Sequence, residues 1–199
     1  MRVRTDDRRR AIIKAAKDIF RDVGFERASM AAISAKVGGS KATLYGYFKS
    51  KDELFAAAMI DALEDQGQDL IDLLDASRPD VEEVLHRFGL AYLTLLASPE
   101  ALSVTRTAIA ESPARERLGE HLYALGPQRG LDAITDYMRA LSAREDMEIA
   151  DPQIAAHQFK VLLEAGIMEP LLFGAPAAFT ADYAVTAAVS TFIKAYRRN

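Results

Sequence analysis

Residues 29–51 read Ser-Met-Ala-Ala-Ile-Ser-Ala-Lys-Val-Gly-Gly-Ser-Lys-Ala-Thr-Leu-Tyr-Gly-Tyr-Phe-Lys-Ser-Lys. Met30, Ile33 and Val37 mark the inner face of a short helix that Ser29 can cap. Gly38 and Gly39 supply a turn. Ser40 can cap a second short helix whose inward residues are Leu44 and Phe48. Once those two point inward, Ser40, Lys41, Thr43, Tyr45 and Tyr47 are left for the outer face. Two short helices at a glycine turn, the second rich in hydroxyl and basic groups, can present a small helix to a DNA major groove. Lys donates to guanine, Thr offers a hydroxyl or a methyl, and Tyr hydroxyls reach phosphates.

Upstream, Ile12, Ile13, Ala16, Ile19, Phe20 and Val23 recur at helical spacing until Gly24, and Thr5 or Asp6 can cap the start. Arg8, Arg9 and Arg10 form a basic cluster within reach of a DNA backbone or minor groove. Downstream, Ser50-Lys51-Asp52-Glu53 fits a capping box that opens a long helix toward Leu74, which the polar stretch Glu64 to Asp69, with Gly67, is expected to bend or to pack thinly. Lys49 and Lys51 flank its start, where free amides also favour a phosphate.

The charge is unevenly spread. The 199-residue chain carries −4 overall, but residues 1–55 hold 13 Lys and Arg against 7 Asp and Glu, and the rest holds 12 against 22. A basic first quarter on an acidic body suggests that the amino-terminal part meets a polyanion. The absence of cysteine excludes disulfides and thiolate metal sites. No apolar run reaches the ~18 residues of a membrane span, and the start lacks the apolar stretch of a signal peptide. The expectation is a cytoplasmic protein with no membrane partner.

The run from Met30 to Phe55, above all Ser40-Lys41-Ala42-Thr43-Leu44-Tyr45-Gly46-Tyr47-Phe48-Lys49-Ser50-Lys51-Asp52-Glu53-Leu54-Phe55, resembles the amino-terminal signature of TetR-type (TetR/AcrR) bacterial transcription regulators. The resemblance covers about a quarter of the chain and is specific because many positions agree in order. It implies a homodimeric, ligand-responsive DNA binder, usually a repressor. It places Ser29 and Ser40 near phosphate, Lys41 and Thr43 in the groove, Tyr45 and Tyr47 beside the backbone, and Lys51 on a phosphate. Two residues depart from the pattern. Gly39 stands where the family often has a small apolar residue, and Gly46 lies inside the reading helix at about 1 kcal/mol of helix propensity relative to Ala. Both predict a softer reading head before DNA orders it.

The remaining chain is helical in pattern, with starts at Arg78-Pro79-Asp80, Ser98-Pro99, Ser112-Pro113, Asp151-Pro152 and Thr180, and bends or breaks at Gly126-Pro127 and Pro170. Broken helices around Pro99, Pro113 and Pro127 suit a domain that leaves a cavity. The resemblance implies that the cavity holds a small-molecule effector. Candidate wall residues are Phe88, Tyr92, Leu96, Thr105, Arg106, Ile109, Tyr123, Tyr137, Phe159 and Leu163, with Glu164 as a further polar group. Small residues in the last two long helices let helices approach closely. Ala165, Ile167, Leu171, Ala184, Ala188, Thr191 and Phe192 are therefore candidates for a four-helix contact between two copies. His86, His121 and His157 are isolated, so no metal site is expected, and no nucleophile, acid or base cluster points to catalysis or a cofactor.

The sequence thus predicts an all-α protein of about nine helices. Residues 1–52 form a helix-turn-helix DNA-binding domain, and residues 53–199 an effector-binding and dimerisation domain. Two copies read a near-palindromic double-stranded operator, and effector binding releases it. The alternative is a helical protein-interaction or effector-binding module without DNA binding.

Overall fold

The computed structural model describes residues 2–114 and 117–198. Among the described residues it is helical without a strand, and an isolated antiparallel bridge pairs Met147 with Arg197. The helices are α1 (Arg2–Arg27), α2 (Met30–Val37), α3 (Lys41–Tyr47), α4 (Lys51–Ile60), α5 (Glu64–Ile71), α6 (Val81–Leu96), α7 (Pro99–Glu111), α8 (Leu118–Tyr123), α9 (Arg129–Leu141), α10 (Pro152–Glu164), α11 (Met168–Leu172) and α12 (Ala181–Tyr196). The chain folds as two compact units. The first is Met1–Leu63 with Thr107–Leu125, and the second is Glu64–Arg106 with Gly126–Asn199.

The first unit is built on α1. Its apolar stripe buries Ile12, Ile13, Ala16 and Phe20 against Ile33 of α2, Leu44 and Phe48 around α3, and Leu54 and Ala57 of α4. The stripe follows the 3.6-residue period read from the sequence. Phe20, Phe25 and Phe55 form a ring cluster with centroids 4.8 to 5.8 Å apart. Helix α8 packs on α4 and buries Leu118 and Leu122. The backbone of α1 breaks at Gly24 (φ 75°), where the pattern stops, but its start runs back to Arg2, so neither Thr5 nor Asp6 sits at its cap.

In the second unit α6, α10 and α12 pack together, with α9 on α10 and α5 against α6 and α9. Phe88, Phe159 and Phe192 form its central aromatic row, with centroids 6.4 and 5.1 Å apart. Gly89 lets α6 approach closely, since a Cβ there would stand 2.8 Å from Leu163 and Val185.

Several expected boundaries fall elsewhere. The helix predicted from Ser50 to Leu74 is interrupted by a 3-10 turn, Asp61–Leu63, at the end of the first unit. The helix opened by Asp151 ends at Glu164, before Pro170, because Gly166 adopts φ 71° and turns the chain; Pro170 lies inside α11. Ser112 does not cap a helix. Its hydroxyl donates back to the Ala108 carbonyl, and Ser112–Ala114 is a 3-10 turn. Gly126-Pro127 lies in a five-residue π turn, Ala124–Gln128, between α8 and α9.

Four candidate dimer residues sit in the core of their own chain: Ile167, Ala184, Ala188 and Phe192 are all buried. Small residues here serve close packing within one chain, a use that the sequence pattern does not distinguish from packing between copies. Phe192→Ala should cost about 3–5 kcal/mol of unfolding free energy. Urea denaturation would check this, and a loss below 1 kcal/mol would remove Phe192 from the core.

Candidate nucleic-acid interface

The reading head is assembled by caps. Ser29 Oγ accepts from the Ala32 amide at 3.1 Å, Ser40 Oγ from the Thr43 amide at 3.1 Å, and Ser50 Oγ from the Glu53 amide at 3.0 Å. Each such cap contributes roughly 1 kcal/mol. The capping box at Ser50 is present in altered form: the Glu53 carboxylate accepts from the Lys49 amide at 2.6 Å, one residue before the cap. Helix α2 ends on Gly38 in the left-handed region (φ 72°, ψ 55°), and the Gly38 and Gly39 amides donate to the Ala35 and Ser34 carbonyls. Ser34, buried, donates its hydroxyl to the Gly39 carbonyl at 2.7 Å.

Helix α3 turns Leu44 inward, with Phe48 just beyond it, and leaves Ser40, Lys41, Thr43 and Tyr45 exposed. Tyr45 is 48% exposed, and its hydroxyl has no partner among the described residues. Ser40 and Thr43 share a hydroxyl–hydroxyl bond of 2.9 Å. The ammonium groups of Lys41 and Lys49 are exposed and make no hydrogen bond or ion pair with another described residue. Tyr47 is half-buried and packs against the core of the first unit.

Lys51 is placed otherwise than the sequence suggested. Its ammonium donates to the carbonyls of Phe25 at 2.9 Å, Ala28 at 3.1 Å and Glu26 at 3.5 Å, and lies 4.2 Å from the Phe25 ring centroid. These carbonyls lie at and just past the end of α1, where that of Phe25 also accepts from the Ala28 amide at 3.2 Å. All three protons of the ammonium are thereby engaged, and Lys51 ties the start of α4 to the end of α1.

The arginine run is divided in the same way. Arg8 donates to the Val37 and Gly38 carbonyls, Arg9 lies 5.3 Å from the Phe48 ring centroid, and Arg10 pairs with Asp7 at 3.6 Å. Lys36 pairs with Asp18 at 3.0 Å, and its hydrogen bond holds the Asp18 carboxyl below the usual range. This pair contributes above the ordinary carboxylate pKa and is lost as pH falls through the lowered one. The amino-terminal excess of positive charge is thus largely spent inside the head, and Lys41 and Lys49 flank its open face.

The candidate effector residues do not form one group. Phe88, Tyr137, Phe159 and Leu163 are core residues of the second unit, and Leu96 and Thr105 are half-buried. Ile109 and Tyr123 belong to the first unit and are exposed. Arg106 donates to the Leu171 and Leu172 carbonyls at 2.5 and 3.0 Å and so caps α11. Tyr92 carries the polar feature of this unit. Its hydroxyl donates to Glu164 at 2.5 Å, and Lys160 reaches the same oxygen at 2.7 Å. Burial, reinforced by the Glu164 charge, pushes the Tyr92 pKa far up, so it remains a donor. Sequence reading named Tyr92 and Glu164 but missed Lys160, although the i, i+4 spacing of Lys160 and Glu164 was the available signal. It likewise missed Arg8 as a partner of the turn, for which local spacing gave no signal. Among the described residues no group of three or more His, Asp or Glu could hold a metal ion, and no single helix is long and apolar enough to cross a membrane.

Comparison with known proteins matches two parts of the chain to two profiles. Residues 12–58 match the profile of the bacterial regulatory proteins of the tetR family, and residues 83–198 that of the AefR-like transcriptional repressor C-terminal domain. The nicotine-responsive transcriptional repressor HdnoR of Paenarthrobacter nicotinovorans is 36% identical over 87 residues, covering 44% of each chain. The transcriptional activator FasR of Mycolicibacterium smegmatis is 40% identical over 58 residues, 29% of this chain and 26% of that one. The chain thus spans less than half the length of these curated relatives. Among solved structures, the flavonoid-responsive regulator FrrA superposes with a TM-score of 0.75 at 26% identity, covering 98% of this chain and 99% of that one. A regulator assigned to the TetR family in Mesorhizobium loti gives 0.77 at 24% identity, with the same coverage, and speaks to the fold. With one profile on the reading head and the other over more than half its length, the chain belongs to the TetR family of bacterial regulatory proteins.

Proposed function

We propose that the protein is a homodimeric DNA-binding transcriptional repressor that leaves its operator when a small organic effector binds the second unit. The observation that carries this reading is the open face of α3. Lys41, Thr43 and Tyr45, with Ser40 before them and Lys49 beyond, are exposed, and the two ammonium groups have no partner among the described residues. A seven-residue helix with that face free and the other face buried fits a major groove. On this reading Lys41 and Thr43 read base edges. Ser29, Ser40, Tyr45, Tyr47 and Lys49 hold phosphates, and Lys51 ties the start of α4 to the end of α1. Residues 1–52 are the reading domain and 53–199 the effector and dimer domain.

A pair of chains sets two reading helices about 34–36 Å apart on a near-palindromic site. The outward faces of α10 and α12 support pairing, because Val161 and Tyr183 are 62% and 63% exposed and Ile154 is also exposed. Ala165 and Thr191 lie exposed on or beside the same helices. The Tyr92–Glu164–Lys160 group supplies a hydrogen-bonded polar point beside the apolar core of the second unit, where an effector can favour one of two states by differential affinity. HdnoR is named as responsive to nicotine and FrrA to flavonoid, which supports an organic effector without identifying it.

A genomic footprint with the purified chain tests the reading. Protected near-palindromes are expected, and protection of no fragment at low salt would overturn it. Lys41→Ala and Thr43→Ala should each erode discrimination at particular base pairs, by about 1–3 kcal/mol where a good contact is lost; an equal loss on all sequences would deny base reading. Lys49→Ala should weaken all sequences alike and lower the slope of log K against log salt by about 1. Lys51→Ala should leave that slope unchanged but cost about 1–3 kcal/mol of stability in the head, read by thermal denaturation. Val161→Glu with Tyr183→Glu should give a folded monomer in sedimentation; an intact dimer would move the interface elsewhere.

A further inference from the structure

We propose that Arg8 is a positioning residue for the reading helix. It clasps the turn between α2 and α3, and Gly39 is the seat that admits it. The guanidinium comes from 29 residues upstream and donates to the Val37 carbonyl at 3.4 Å and to the Gly38 carbonyl at 3.1 Å. Both lie at the end of α2, where carbonyls have no helical partner. A Cβ placed on Gly39 would stand 2.5 Å from Arg8 Nη2. Gly38 is in the left-handed region, but Gly39 is not among the residues of positive φ. The Gly39 backbone is therefore open to any residue, and what glycine contributes there is room for the guanidinium.

The other side of the turn is held by the Ser34 hydroxyl on the Gly39 carbonyl. Ser40 then caps α3, whose first residue is Lys41. A shift at Gly39 passes through two residues to Lys41 and four to Thr43. The clasp thereby fixes the aim of the groups that face bases, while touching no DNA itself. The glycine that departs from the family pattern at this turn is the complement of Arg8 and not a source of slack.

This rests on the DNA-binding reading, and the test separates the two. Wild-type chain, Arg8→Ala, Arg8→Lys, Gly39→Ala and the Arg8→Ala/Gly39→Ala pair are titrated against two duplexes across a salt series. One duplex is a fragment selected from chromosomal DNA by the wild-type chain, and the other is its scrambled sequence. Amide exchange of Gly39 to Thr43 is measured without DNA. Arg8→Ala should lower the ratio of specific to non-specific affinity about tenfold with the salt slope unchanged, and should speed exchange across the turn. Arg8→Lys keeps the charge but lacks the fork, so it should behave alike. Gly39→Ala crowds only the flexible end of Arg8, so it should show a smaller loss in the same direction, and adding it to Arg8→Ala should cost little more, because both act on one interaction. A slope lower by about 1 with an unchanged ratio would make Arg8 a phosphate contact and overturn the proposal. Additive losses would overturn the pairing with Gly39. If the wild-type chain selects no fragment, the DNA reading fails, and the clasp is still judged by exchange in Arg8→Ala, where unaltered rates would refute it.

Discussion

A seven-residue helix cannot stand alone in water. Nucleation is costly, and isolated helices below about 12–15 residues are marginal even in favourable sequences. Helix α3 has seven residues, includes Gly46 and presents its polar face outward, so its shape is imposed by what surrounds it. Leu44 and Phe48 anchor it to α1 through burial. Ser40 holds its first turn, Arg8 the turn before it, and the Glu53 carboxylate the Lys49 amide after it. The long α1 is therefore less a contact surface than a rail against which the two short helices are aligned.

That constraint explains how the positive charge is used. A count of lysines and arginines along residues 1–55 suggests an electrostatic surface. The structure shows many of them held within the unit: Arg8 on the end of α2, Lys51 on the end of α1, and Lys17, Arg21 and Lys36 paired with aspartates. Two lysines flanking the open face remain exposed.

The fold was legible where periodicity or end chemistry was strong. The inner faces of α1, α2 and α3 follow from spacing, and Ser29, Ser40, Ser50, Asp80, Asp151 and Thr180 all cap the helices they were read to open. Prolines misled: Pro170 was read as the break after α10, although Gly166 makes the turn, and Ser112-Pro113 was read as a helix start. The site was half legible. Exposed Lys41, Thr43 and Tyr45 follow once Leu44 and Phe48 are inward. The inward reach of Lys51 and the clasp of Arg8 depend on residues more than twenty positions away, and no local pattern encodes such distances. Burial of Ile167, Ala188 and Phe192 was misassigned because an apolar stripe with small residues has the same appearance whether a neighbouring helix of the same chain or of another covers it.

The first compact unit is not one stretch of chain. Thr107–Leu125 returns to it, and α8 lays Leu118 and Leu122 down beside α4. A hybrid regulator made by splicing residues 1–63 onto a foreign body would leave an oily strip on α4 bare. Transplanting this head intact requires the later segment as well, so recombination between relatives is restricted to exchanges that move both pieces together.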